Sequence, residues 1–382
     1  MIGPLVENAR VVVCMGPGGV GKTTTAAALA IAGAQAGRRV AVLTIDPAAR
    51  LKDALDLPPE AGRLQRIPLA AGTPGSLHAI LLDAKGLFDR LVCRLAPNEE
   101  MAGRVLGNPV YRNIAGTFAG SDAYMALEQL LDIADDDAFD LIIVDTPPAA
   151  HALELFDAPD RILALLDSRA LEYLSEPARI LGVTTSILSR GLLSGVLSAL
   201  ERLTGLSLLR DISDLARDFS SIAPGFLRRA RSIAELLRRA DTRYVLLASP
   251  DPHATGDTLE FAGDIDEFGL DLAAVVVNRV LRITPETIES MEETSSEEGG
   301  WSASLARNLV ACARDLEILQ SGQRRVIEDL RQGLSDLRGR RDAPEPLWLE
   351  LPALSHAPTS LARIEALARD FSRPLRPAAT WG

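Results

Sequence analysis

The sequence predicts an α/β fold, a mostly parallel, doubly wound sheet into which a helical subdomain is inserted. Three observations point to it. Short apolar strands and an Ala-rich helical stretch alternate from the N-terminus, the order that builds a parallel sheet covered on both faces. The later strands are continuous apolar runs, as expected of strands buried on both sides. The stretches at about 84–138 and 152–240 are too long for simple crossovers and carry Leu and Ile at helical spacing.

The elements follow in order. Arg10–Met15 (R-V-V-V-C-M) is a β-branched strand, Thr23–Gln35 is Ala-rich and helical, and Arg39–Ile45 (R-V-A-V-L-T-I) is a second strand. Together they make a complete βαβ unit. Later strands are Asp140–Val144, Tyr244–Ala248, Ala273–Val277 and Leu347–Leu351. The chain therefore divides into a first sheet segment at 1–83, a helical insert at 84–138, a return to the sheet at 139–151, a second helical insert at 152–240 and a last sheet segment at 241–382. Within the second insert, Ile180–Leu209 is densely aliphatic, which fits either an internal helix pair or an apolar groove for a partner helix. Residues 286–300 (E-T-I-E-S-M-E-E-T-S-S-E-E-G-G) have the composition of a mobile acidic loop.

Composition narrows the function. A chain of 382 residues with 47% apolar content can bury a large core. Its net charge of -12 argues against a nucleic-acid binder, which needs an excess of Lys and Arg on one face, so no nucleic acid is expected as a partner. The only lysines are Lys22, Lys52 and Lys85, so a catalytic lysine must be one of them. Cys14, Cys93 and Cys312 are far apart and form no C-x-x-C, which argues against a zinc site or disulfide framework and for a reducing compartment. The N-terminus has no charged leader pattern, and no uncharged apolar run reaches the ~18 residues of a membrane span. The expectation is a cytoplasmic protein with no stable membrane insertion.

The chemistry is carried by Gly16-Pro17-Gly18-Gly19-Val20-Gly21-Lys22-Thr23, which matches G-x-x-x-x-G-K-[ST] between a strand and a helix. Such a P-loop lets backbone N–H groups between Gly16 and Thr24, all but that of Pro17, which has none, converge on a phosphate chain at a helix N-terminus. Lys22 would neutralise the β- and γ-phosphates, and the Thr23 hydroxyl would ligate Mg²⁺. Gly16-x-Gly18-x-x-Gly21 also satisfies the dinucleotide fingerprint, with Asp46 closing the second strand, but a dinucleotide turn has no use for Lys22. Asp145, in D-T-P-P after the strand at 140–144, could hold Mg²⁺ through water or could cap the next helix. Asp46-Pro47 on the same sheet edge could serve the site or form a turn.

The set G-P-G-G-V-G-K-T-T (16–24), T-I-D-P-A-A-R-L (44–51), D-T-P-P-A-A-H-A-L (145–153) and V-V-N-R (276–279) resembles the ArsA/Get family, the arsenite-pump and tail-anchored-protein-targeting ATPases. That resemblance implies a dimeric P-loop ATPase using ATP and Mg²⁺ on a hydrophobic protein client, with 152–240 as the candidate client-binding insert. It implies that Asp46 is the switch I aspartate that polarises the attacking water, that Asp145 and His151 bound switch II, and that Asn278 reads adenine. No guanine-reading N-K-x-D or T-K-x-D follows a late strand, which favours ATP over GTP. Two departures stand out. The zinc-binding C-x-x-C is absent and no cysteine lies near switch II to bind arsenite as a thiolate, so arsenite pumping is not expected. Pro17 stands where the family's signature lysine reaches across a dimer, which points to a homodimer with slow turnover or a heterodimer with a lysine-bearing homologue. Alternatives are a poorly hydrolysing regulatory subunit and a MinD-like membrane-surface ATPase. The last is prompted by Leu361, Ile364, Leu367 and Phe371 beside Arg363 and Arg369 in a C-terminal helix, although that helix is short enough to be simply docked on the sheet.

Overall fold

The computed structural model describes residues 3–45, 51, 55, 62–114, 121–147, 155–161, 163, 206–282, 303–339, 344–353 and 361–372. Its strands are β1 (Val11–Met15), β2 (Arg39–Thr44), β3 (Gln65–Ile67), β4 (Ser76–Leu81), β5 (Leu141–Asp145), β6 (Thr242–Ala248), β7 (Leu272–Val280) and β8 (Leu347–Pro352). They form one sheet in the order β3-β4-β2-β5-β1-β6-β7-β8. Every pairing is parallel except β3 with β4.

The sequence reading misses β3 and β4. Ser76–Leu81 (S-L-H-A-I-L) buries Leu77, Ala79 and Ile80 but has one β-branched residue, so its composition is weak for a strand. Its place is decided by pairing with β2 in register Arg39↔Ser76 through Thr44↔Leu81. That contact is tertiary.

Two apolar layers follow from the alternation of side chains along each strand. Val12, Cys14, Val42 and Leu247 face one layer, which is closed by α1 (Gly3–Asn8), α2 (Lys22–Gln35) and α10 (Leu361–Ser372). Val11, Val13, Leu43, Val144 and Leu246 face the other. That second layer is covered by α3 (Ala84–Leu95), α6 (Ser121–Ala134), α7 (Leu206–Arg238), α8 (Pro252–Glu267) and α9 (Ala303–Gly339), with α4 (Glu99–Gly107) and α5 (Pro109–Ile114) stacked outside. Its apolar cluster runs without a break from the sheet into these helices.

Polar contacts fix how the helices of the two insert stretches meet. Arg104 of α4 makes two bonds to Asp218 of α7, at 3.0 and 2.9 Å. Arg229 of α7 reaches α6, donating to Glu128 and, at 2.7 Å, to Asp132. Arg94 of α3 binds the same Asp132 oxygen at 2.8 Å, and the Tyr124 hydroxyl donates to Glu128 at 2.5 Å.

The C-terminal helix uses its apolar face internally. Ile364, Leu367 and Ala368 of α10 are buried, and α10 packs along α2, so this stripe is not on offer to a lipid surface. Among the described residues no helix is long and apolar enough to cross a membrane. Most of the aliphatic run, at 180–205, and the acidic loop at 286–300 lie outside the described residues.

Candidate functional site

Parallel pairing brings the motifs to one edge of the sheet. Cys14 on β1 is level with Asp145 on β5, and Thr44 on β2 is level with the same Asp145. The P-loop leaves β1 two residues beyond Cys14, and the chain toward Asp46 leaves β2 just beyond Thr44. Side chains tie these exits together. The Thr44 hydroxyl donates to Asp145 Oδ2 at 3.2 Å, and the Thr146 hydroxyl donates to the Cys14 carbonyl at 2.8 Å. Neither threonine was anticipated, because which strand tips lie level depends on register between distant segments.

The loop itself needs glycine at two points. Gly16 has φ 147°, and a Cβ there would lie 2.3 Å from the Leu247 carbonyl oxygen on β6. Gly21 has φ 97°, and a Cβ there would lie 2.3 Å from Asn278 Nδ2. Both conditions exclude an L side chain. Gly18 and Gly19 are exposed and face open space, which leaves room for a ligand against the backbone.

Gly21 is also the N-cap of α2, and it offers no side-chain oxygen to the first turn. The first helical bond is donated by Thr25 to the Gly21 carbonyl at 3.0 Å, so the N–H groups of Lys22, Thr23 and Thr24 have no acceptor within the helix. Together with the helix dipole they make a cradle for an anion. Lys22 is nearly buried and donates to the carbonyls of Gly16 and Pro17, both at 2.9 Å. Its ammonium therefore sits inside the loop and rests on oxygens that a phosphate can replace. Pro17 is buried and contributes one of those carbonyls.

Asn278 closes the loop from β7. Its Nδ2 donates to the Val20 carbonyl at 2.8 Å, and its Oδ1 accepts from the Arg279 N–H at 2.9 Å. A side-chain amide has two donors and two acceptor lone pairs, so these bonds among the described residues leave one of each on Asn278. That residual pair complements the N7 acceptor and N6 donor of adenine; guanine shows two acceptors there.

The donor set fits a magnesium–triphosphate group: a glycine cradle, one inward lysine, the Thr23 hydroxyl and the Asp145 carboxylate. Asp46, Arg50, Lys52 and His151 lie outside the described residues. Lys85, the remaining lysine, is on α3 in an exposed pair with Asp89.

Cys14 corrects one expectation. A cysteine does lie beside Asp145, the residue at which switch II is expected to begin, since Cys14 is its strand neighbour. Burial, and secondarily the Asp145 charge, push its thiol well above the ordinary cysteine range. It is a protonated core residue and offers no thiolate to a soft ligand.

Comparison with known proteins gives the same reading. The profile of the family described as anion-transporting ATPases matches residues 9–298, and so spans the P-loop, Asp145 and Asn278. The chain belongs to that family. Among similar proteins, "ATPase ASNA1 homolog 1" of Paramecium tetraurelia is 24% identical over 266 residues, covering 70% of this chain and 73% of the relative. "ATPase get3" of Aspergillus terreus is 28% identical over 271 residues, covering 70% and 72%. "ATPase ASNA1 homolog 2" of Paramecium tetraurelia is 29% identical over 145 residues, covering 38% and 42%. The anion-transporting ATPase family hydrolyses ATP, which makes this chain an ATPase by membership.

Proposed function

We propose that this ATPase binds Mg-ATP in the P-loop cradle and works in the cytoplasm as a dimeric switch whose nucleotide state controls a hydrophobic protein client. The observation that carries the reading is the loop from Gly16 to Thr24, closed on Lys22 and buttressed by Leu247 and Asn278. The two relatives named ASNA1 homologs and the one named get3 support the ATPase class, and the client is what the resemblance of the motifs to the ArsA/Get family implies.

Roles follow from position and chemistry. Lys22 leaves the Gly16 and Pro17 carbonyls and neutralises the β- and γ-phosphates, while the N–H groups of Gly18, Gly19, Val20, Gly21 and Thr24 donate to phosphate oxygens. Thr23 and, through water, Asp145 hold Mg²⁺, which supplies charge neutralisation at the transferring group. Asp46 orients and polarises the attacking water. Asp145 and His151 carry the change to the helical inserts, and Asn278 selects adenine. The Thr44–Asp145 bond gives the two switch segments a shared origin.

A second reading is favoured by one residue. Pro17 has no cation, no N–H and a fixed φ, so this chain cannot supply in trans the charge that a lysine there would supply. Slow turnover alone, or a regulatory role beside a lysine-bearing homologue, follows.

The test is a steady-state ATPase assay with binding measured alongside. Asp46→Asn should keep Mg-ATP binding and slow turnover at least about tenfold, whereas Lys22→Ala should weaken binding itself. Wild-type turnover in Asp46→Asn would remove the switch I assignment. Fast turnover by the isolated wild-type chain would remove the regulatory reading. Proteins that co-purify with Asp46→Asn from the native cell identify the client.

A further inference from the structure

The end of β7 is irregular where it meets the site. Val277 pairs with Glu350 and Val280 with Pro352, so three steps along β7 answer two along β8. The extra residue is a bulge at Asn278–Arg279, a device that re-aims a side chain and is found beside active sites. Arg279 has φ 65°, and it is the one non-glycine residue with positive φ among the described residues. Such a conformation persists only where its surroundings over-determine it.

A bulge takes backbone groups out of the ladder, and each then needs another partner. Here two side chains provide them. Asn278 Oδ1 accepts from the Arg279 N–H at 2.9 Å. Gln323, from the middle of α9, accepts from the Leu281 N–H at 2.8 Å through Oε1 and donates to the Arg279 carbonyl at 3.3 Å through Nε2. One amide therefore spans the bulge from the outer side, while Asn278 reaches across it to the Val20 carbonyl of the P-loop. On the far side of Leu281, Arg282 donates to the Glu350 carbonyl at 2.8 Å, so the strand exit is held at both ends.

We infer that Gln323 is a positioning residue for the nucleotide base: its amide clamps the β7 bulge in the shape that keeps Asn278 aimed at the P-loop. The inference rests on the Mg-ATP reading of the same site. It assigns α9 a part in nucleotide selection that its distance in sequence from the P-loop conceals. Gln323 is half-buried, so its replacement by a residue of similar shape is compatible with folding.

The clamp acts on the base side, whereas Gly16, packed on Leu247, and the Lys22 contacts hold the phosphate side. Three ligands separate the two. In calorimetric titrations of the full chain with magnesium present, Gln323→Leu should weaken ATP about fivefold, the size of one or two lost hydrogen bonds, and narrow the preference for ATP over GTP. Inorganic tripolyphosphate, which has no base and feels Asn278 only through its brace on the Val20 carbonyl, should lose less than ATP does, about twofold at most. Gln323→Asn keeps the amide but is one methylene too short to span the bulge, and should shift ATP in the same direction. Unchanged ATP affinity in both variants would overturn the inference. So would an equal loss for ATP and tripolyphosphate, which would make Gln323 a general support of the fold. If wild type binds tripolyphosphate as tightly as ATP, the ATP reading itself fails and takes the inference with it.

Discussion

Gly21 concentrates several demands at one backbone position. It caps α2, carries φ 97° and lies against the Asn278 amide, so Gly21→Ala strains the loop and displaces its buttress at once. ATP affinity should fall at least about tenfold with the secondary structure kept, as read by calorimetry and circular dichroism. A loss under twofold would mean that the cradle works without the Asn278 contact. Thiol chemistry gives a second expectation at this scale. Cys93 and Cys312 are exposed and Cys14 is buried beside Asp145, so a thiol reagent should titrate two groups in the native protein and the third only in denaturant. Lys22 and Thr23 were singled out by the P-loop spacing, and Asn278 by the resemblance of V-V-N-R to the family. The Thr44–Asp145 bond, the position of Cys14 and the Gln323 clamp were not, since each joins strands or helices far apart in the chain.

Helix α7 is held to its neighbours by a buried ionic cluster. Glu128 is 1% exposed and Arg229 17% exposed, and Arg229 also binds Asp132. Removing one member of such a pair leaves an uncompensated buried charge, so Arg229→Met should cost about 3 kcal/mol in chemical denaturation. Adding Glu128→Leu should recover most of it. The cost should also depend on pH. Burial raises the Glu128 pKa, opposed by the Tyr124 hydrogen bond and by Arg229, so losing Arg229 raises it further. A raised carboxylate binds more protons folded than unfolded, and its stability is fullest below the unfolded pKa and is lost as pH rises through the folded one. Arg229→Met should therefore be less destabilising at about pH 5 than at about pH 8; the opposite order would show that Glu128 is not the buried charge at fault. Elements with strong patterns, β1, β2, β5, β6 and β8 among them, were readable within a residue or two, whereas β7 runs three residues past its apolar core, through Asn278 to Val280. β4 was not, because pairing with β2, more than its composition, makes it a strand.

At the scale of the whole molecule, α2 is enclosed between the sheet and α10, so the helix that begins with Lys22 is fixed by a helix from the far end of the chain. Ending the protein after residue 353 would expose apolar area now covered by Ile364, Leu367 and Ala368. Each larger side chain is worth about 2 kcal/mol, so thermal stability should drop by several degrees and ATP should restore part of it. No restoration by ATP would separate α10 from the nucleotide site. The doubly wound architecture was legible from alternating strands and helices, whereas the place of β3 and β4 at one edge was not.

The sheet order sets a timetable for the nascent chain. Val11 in β1 pairs with Ile142 on one side and with Thr242 on the other. At about 5–20 residues per second, the V-V-V-C-M strand waits on the order of ten seconds or more for its second neighbour. Through that interval it is an apolar strand with an open edge, the species that sticks to other copies of itself. The cradle needs Leu247 and Asn278, so it can close only after most of the protein has been made. Nucleotide should thus slow unfolding without speeding refolding, and the yield on dilution from denaturant should fall as protein concentration rises.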